Sequence, residues 1–204
     1  MLAILFTSPL AFVILVGGLL VAITIHEFAH AWTADKLGDP TPRMQGRVTL
    51  DPRAHLDPIG TLAMLITRFG WGKPVQFDPY NLKNPIRDTA LIALAGPASN
   101  LTLAVIIAAV IRLASLPGAL IEVLGYALLI NVVLAIFNLL PIHPLDGSKV
   151  VTAFLPAQTA YEYELFMRQY GIMVLILLIV PWNGSSPVSQ LIWPVIERIV
   201  DFMV

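Results

Sequence analysis

Residues 11–30 read AFVILVGGLLVAITIHEFAH, an apolar run that passes without a break into two histidines and a glutamate. Extended backwards, the run Leu2–Ile25 carries no charge over 24 residues. At 1.5 Å per residue it is long enough to cross a hydrocarbon layer of about 30 Å. A secretory signal has an apolar stretch of roughly 7–15 residues behind a basic start and ahead of a small-residue cleavage site. This stretch has none of those features, so it is expected to stay as a membrane helix.

Two more stretches have the same character. Thr89–Ile111 and Val123–Ile142 are free of charge for 23 and 20 residues, and each is expected to span. Tyr170–Trp182 reads as a fourth span and then a turn, because the uncharged run to Ile196 is interrupted by Pro181, Asn183 and Gly184. Gln190–Val204 is either a fifth span or an interfacial helix, because Glu197, Arg198 and Asp201 fall on one face. Pro58–Phe69 is too short to cross and suits a re-entrant or interfacial segment. The expected fold is therefore an all-α polytopic membrane protein of four to five transmembrane helices. Small strands are possible in the 35–88 loop, and one domain covers residues 1–204.

Composition agrees. Of 204 residues 57% are hydrophobic and 12% charged, about half the charged fraction of a soluble domain, so the lipid bilayer must act as part of the solvent. A net charge of -1 supplies no basic field for nucleic acid. With no cysteine, disulfides and thiolate metal ligands are excluded. Eight of the 12 basic residues lie between Lys36 and Arg87, and Lys149 and Arg168 follow the third span. Short loops rich in Lys and Arg stay in the cytoplasm. That places the 35–88 and 143–168 loops in the cytoplasm and the N-terminus outside.

His26-Glu27-Phe28-Ala29-His30 is an H-E-x-x-H motif. On a helix, positions i and i+4 share a face about 6 Å apart, so two imidazoles can hold one Zn²⁺ while the glutamate reaches a water beside it. Ionisable groups next to a spanning segment are costly and by default functional. A catalytic zinc needs a third protein ligand and an open position, and His55, Asp57, His143 and Asp146 are the main candidates. Asp146 stands out: it sits in Leu140-Pro141-Ile142-His143-Pro144-Leu145-Asp146-Gly147, on the side of the membrane towards which His26 lies, about 25 Å along the helix from Pro9. A turn or capping residue is the plainer reading of an aspartate before glycine. Gly96-Pro97-Ala98-Ser99-Asn100 interrupts the second long span. Gly96 allows close approach, and Asn100 either binds a substrate carbonyl or oxyanion, or bonds between helices with Asn131 or Asn138. His143 has three readings: a resting fourth ligand, an orienter of Asp146, or a helix-end cap.

Taken together, His26-Glu27-x-x-His30, Gly96-Pro97-x-x-Asn100 and Leu140-Pro141 to Leu145-Asp146-Gly147, in that order, resemble the site-2 proteases, intramembrane zinc metalloproteases. The stretch from Gly38-Asp39-Pro40 through His55-x-Asp57-Pro58 to Asn84-Pro85 is similar to their compact prokaryotic branch without a PDZ module. The resemblance implies one Zn²⁺ per chain held by His26, His30 and Asp146, Glu27 as general base and Asn100 on the substrate side. It implies a single-span membrane protein as substrate, with the peptide bond cut inside its transmembrane segment. It also implies a three-helix core around the metal, with the 35–88 loop gating it. Two departures are a missing leading helix, and His143 where proline or an apolar residue is expected. Strand addition along Arg47–Leu50 is one way to hold an unwound substrate. The alternative function is a non-proteolytic zinc-binding membrane protein or zinc transporter; a transporter would show further acidic or His positions along its other spans, and the middle two have none.

Overall fold

The computed structural model describes residues 6–67, 70–182 and 184–204. The first four positions of the first predicted span, the last two of the Pro58–Phe69 segment, and Asn183 lie outside the described residues. The first long helix, α1 (Pro9–Leu37), opens on a proline and closes on Gly38, whose φ of 112° turns the chain so that Gly38 and Asp39 donate back to Asp35 and Ala34. Then come two short turns of helix, α2 (Thr41–Met44) and α3 (Pro52–His55), and the ten-residue α4 (Pro58–Thr67). A 3₁₀ turn at Pro79–Asn81 leads into α5 (Pro85–Leu113) and α6 (Gly118–Asn138). The chain ends with α7 (Asp146–Thr152), α8 (Ala157–Ile179) and α9 (Pro187–Met203).

Among the described residues, α1, α5 and α6 are long and apolar enough to cross a membrane. The protein is an all-α, polytopic integral membrane protein. Helix α8 corrects the predicted fourth span. It starts thirteen residues before Tyr170 because Glu162, Glu164 and Arg168 sit on exposed helical positions that a search for charge-free runs rejects. It stops at Ile179, before Pro181, and the turn expected there follows. Helix α9 is amphipathic. Val188, Ile192 and Ile196, four apart, are buried in the core, while Glu197, Arg198 and Asp201 stay out. The strands envisaged in the 35–88 loop do not form. Among the described residues, pairing is limited to isolated bridges, Leu56 with Gly72 and Trp182 with Ser185, and Arg47–Leu50 pairs with nothing as a strand.

Two kinds of packing divide the long helices. The second half of α5 joins α6, α8 and α9 in a dry core of Ala104, Ile107, Leu128, Val132, Leu175 and Ile192. The first half faces α1 through small residues: Ala22, Ala31 and Ala34 on α1 and Ala90, Ala93 and Gly96 on α5 are buried. Small side chains let two backbones approach closely without a water-driven hydrophobic term to draw them together. Buried positions on α1 recur at Ala22, His26, His30 and Ala34, so the i, i+4 stripe that packs on α5 is the stripe carrying both histidines.

Candidate metal centre

Each histidine on that stripe has one ring nitrogen already engaged. His26 Nδ1 lies 2.7 Å from Asn100 Oδ1, and His30 Nδ1 lies 2.6 Å from the carbonyl of Ile92. Both partners are acceptors. The Asn100 orientation follows from its Nδ2, which donates to the Ala22 carbonyl (3.1 Å) and to Asn131 Oδ1 (2.8 Å). The two Nδ1 atoms must therefore carry protons, and in the neutral imidazoles that bind a metal both Nε2 atoms are then lone pairs. These Nε2 atoms stand 3.0 Å apart. Asp146 Oδ2 completes the group at 3.1 Å from His26 Nε2 and 3.3 Å from His30 Nε2.

Three acceptors that meet without a hydrogen between them repel one another unless a cation joins them. With bonds of about 2.0–2.2 Å, the ligand atoms of a tetrahedral zinc are roughly 3.3 Å apart, close to what is found here. Gly96 supplies a second mark of fit: a Cβ there would lie 2.4 Å from His30 Nε2 and 2.6 Å from His26 Nε2. The donor set and the space kept clear by Gly96 both suit Zn²⁺. Among the described residues, His26, His30 and Asp146 are the cluster of such groups able to hold a metal.

Asp146 reaches the site because α6 ends at Asn138 and the chain folds tightly back before α7 begins. A Cβ on Gly147 would lie 2.2 Å from the Leu139 carbonyl oxygen, so the residue after the aspartate must be glycine. Ser148 Oγ donates to the Leu145 carbonyl, and Tyr163 of α8 to that of Pro141.

Glu27 faces a different neighbourhood. Its Oε2 accepts the backbone N–H of Val75 at 3.2 Å and lies 3.7 Å from Nη2 of Arg47, a residue only 3% exposed. Nothing in the sequence singles out Arg47; only the fold shows it buried beside a carboxylate, where a cation needs such a partner. The remaining candidates hold local structure. His55 is buried, with Nε2 2.7 Å from the Thr49 carbonyl, and Asp57 accepts the Gly60 N–H at the start of α4. Asn131, read as structural, proves to be the support behind Asn100.

His143 does not join the cluster. Its carbonyl and Cβ press against α8 where Gly171 leaves room, a Cβ on that glycine falling 2.6 and 2.9 Å from them. Burial, then the cations of Lys149 and Arg168, hold its imidazole below the ordinary range. Of its three readings, the fourth ligand finds no support in this placement.

With this geometry in place, relatives can be compared. Residues 113–181, which include the turn carrying Asp146, match the model of peptidase family M50. The Bacillus subtilis protein named "Putative zinc metalloprotease YwhC" is 36% identical over 192 residues, 90% of this chain and 85% of its own length. Rip2 of Mycobacterium tuberculosis strain H37Rv, named in the same way, is 32% identical over 85% of this chain and 71% of its own. The chain belongs to peptidase family M50. That membership bears out the likeness to the site-2 proteases and makes the protein a membrane zinc metalloprotease. No solved structure matches the chain. The 90% of the chain that the Bacillus subtilis relative matches is long enough to take in both the H-E-x-x-H helix and the turn that brings Asp146 to it.

Proposed function

We propose that this M50 protein hydrolyses peptide bonds within the transmembrane segments of single-span membrane proteins, using one Zn²⁺ held by His26, His30 and Asp146. The observation that carries this reading is the position of the cluster. It lies between α1, α5 and α7, on the long apolar helix α1 rather than in an appended soluble head. A substrate bond that reaches it comes from a neighbouring membrane segment.

When bound, the metal supplies Lewis-acid polarisation and lowers the pKa of water towards about 7. The chain's own residues do the rest. Glu27 takes the proton of the attacking water at Oε1 and returns it to the departing amine. Its Oε2 accepts the Val75 N–H, which leaves Oε1 as the oxygen for proton transfer. Asn100 does not touch substrate: it is 0% exposed and its amide is committed to His26, Ala22 and Asn131. It orients His26 and fixes the tautomer whose Nε2 is free, in place of the substrate-side role expected from sequence.

Purified protein with a panel of single-span substrates provides the test. Wild type should cleave with one zinc per chain. Glu27→Gln should keep the zinc and lose cleavage, while His26→Ala and Asp146→Ala lose both. Full zinc in Asp146→Ala would remove it from the ligand set. For orientation, we place the 35–88 and 143–168 loops in the cytoplasm, on their share of basic residues. Single cysteines at Thr41, Ser115, Thr159 and Ser185 of this cysteine-free chain should label with an impermeant reagent on intact cells at 115 and 185 only. Strong labelling at 41 would invert the topology.

A further inference from the structure

The segment Gly72–Val75 runs extended over the glutamate face of α1, pinned at every residue whose backbone can be held. Gly72 bridges to Leu56, and a Cβ on it would lie 3.0 Å from Ile23 Cγ2 and 3.4 Å from Glu27 Oε1. The N–H of Lys73 donates to the His55 carbonyl at 2.8 Å, and its carbonyl accepts from Arg47 Nη2. Pro74 has no N–H to place. Val75 donates to Glu27 Oε2. Arg47 thus touches both components, the strap through Lys73 O and the general base through the 3.7 Å approach to Glu27. Among the described residues its Nε is buried without an acceptor, while Nη2 is bonded to the Lys73 carbonyl. A guanidinium buried to this extent and left half satisfied is costly. Apolar bulk would fill the same space more favourably, so the cation itself is what the site uses.

We infer that Arg47 is a positioning residue for catalysis, a latch that holds the Gly72–Val75 strap and the Glu27 carboxylate in one fixed relation beside the metal ligands. The inference rests on the proteolytic reading above. With the latch closed, Glu27 Oε2 is fixed between a cation and an amide, and the opposite oxygen keeps one direction. Without it, the strap loses its carbonyl anchor, and Val75 no longer has a fixed place from which to donate. The metal ligands are on the other stripe of α1 and do not depend on Arg47.

Three variants decide it: Arg47→Met, which keeps bulk and drops charge, Arg47→Lys, which keeps the charge, and Glu27→Gln. Three measurements are made on each: zinc content, cleavage of a single-span substrate with kcat and KM separated, and amide hydrogen exchange of residues 71–77. Arg47→Met should keep its zinc and its KM, lose about tenfold to a hundredfold in kcat, and exchange faster at Lys73 and Val75 while the amides of α5 and α6 stay protected. Arg47→Lys should recover most of kcat, which a residue that only fills space would not require. Equal kcat for Arg47→Met and wild type, or unchanged exchange at 71–77, overturns the latch. Loss of zinc in Arg47→Met, whatever Arg47→Lys does, overturns the separation of Arg47 from the ligand set. If wild type cleaves nothing, the proteolytic reading fails, and exchange at 71–77 still reports whether Arg47 holds the strap.

Discussion

The two stripes of α1 that meet at the active site are built in opposite ways. The histidine stripe is backed by helices, and its polar atoms are accounted for one by one: Nδ1 of each histidine, the Asn100 amide and the Asn131 amide all have partners. The glutamate stripe is backed by irregular chain. Arg47 Nε and His55 Nδ1, in that loop, are buried without a partner among the described residues. A metal site gains from rigidity, because ligand geometry sets affinity. A site that must admit a peptide needs a wall able to move, and segments with few packed apolar contacts are the ones that open at low cost. The helical side supplies the first; on the loop side, any opening would have to release the bonds that tie the strap to His55, Arg47 and Glu27.

The sharpest way to break this contrast is at Gly96. Gly96→Ala forces a Cβ into two imidazoles that cannot swing aside without losing their Nδ1 bonds. Metal affinity should fall by more than about a hundredfold, read by metal analysis after dialysis. Gly17→Ala, where a Cβ meets nothing within 4 Å, is the matched control and should change nothing. Next in size, Asn100→Leu removes the acceptor that fixes His26 and should weaken zinc binding about 10- to 100-fold. Asn131→Leu, one bond further out, should cost less than tenfold, and a larger effect there than at Asn100 would mean that the chain of amides has been read in the wrong order.

On the loop side the corresponding substitution is at Asp39. This buried carboxylate accepts from Thr41 N and Oγ1, Asp78 N and Asn81 Nδ2, fastening the end of α1 to the 78–81 turn. Burial alone would raise its pKa, but these hydrogen bonds outweigh burial and hold it below the ordinary carboxylate range. A depressed folded pKa means stability that is present above the unfolded value of about 3.9 and lost as pH falls below it. Asp39→Ala should destabilise the 70–82 region by about 1–3 kcal/mol, seen as faster amide exchange at neutral pH with zinc retained. In wild type the same loosening should appear only below about pH 4. The smallest effect belongs to His143→Ala: packed on α8 and outside the cluster, it should alter zinc content and cleavage rate by about twofold at most.

How much of this was legible in the sequence follows from which interactions are periodic. The three spans show as charge-free runs because lipid imposes a composition on every residue along them. The histidines and Asp146 show because metal chemistry allows few residue types at fixed spacing. The first half of α8 was hidden because an exposed helix tolerates Glu162, Glu164 and Arg168 as readily as a loop does. Asn100 was found, and Asn131, one of the neighbours offered for it, is its partner. Its other partner, His26, is 74 residues away and was not foreseen, because an amide in a membrane helix declares that it needs partners, not which ones. Arg47 gave no signal, since nothing local separates a basic loop residue on the surface from one folded under against Glu27.

Asp146 stands 120 residues after His26, and this spacing sets the order in which the enzyme comes into being. As the chain leaves the ribosome, α1 enters the membrane with both histidines and the glutamate already in place, yet without a third ligand they make no hydrolytic centre. Asn100 arrives with the second long span, and Asp146 only after the third has been made and the chain has turned back. On the proposed function, everything from His26 to Asp146 must be made and folded back before any neighbouring membrane helix could be cut.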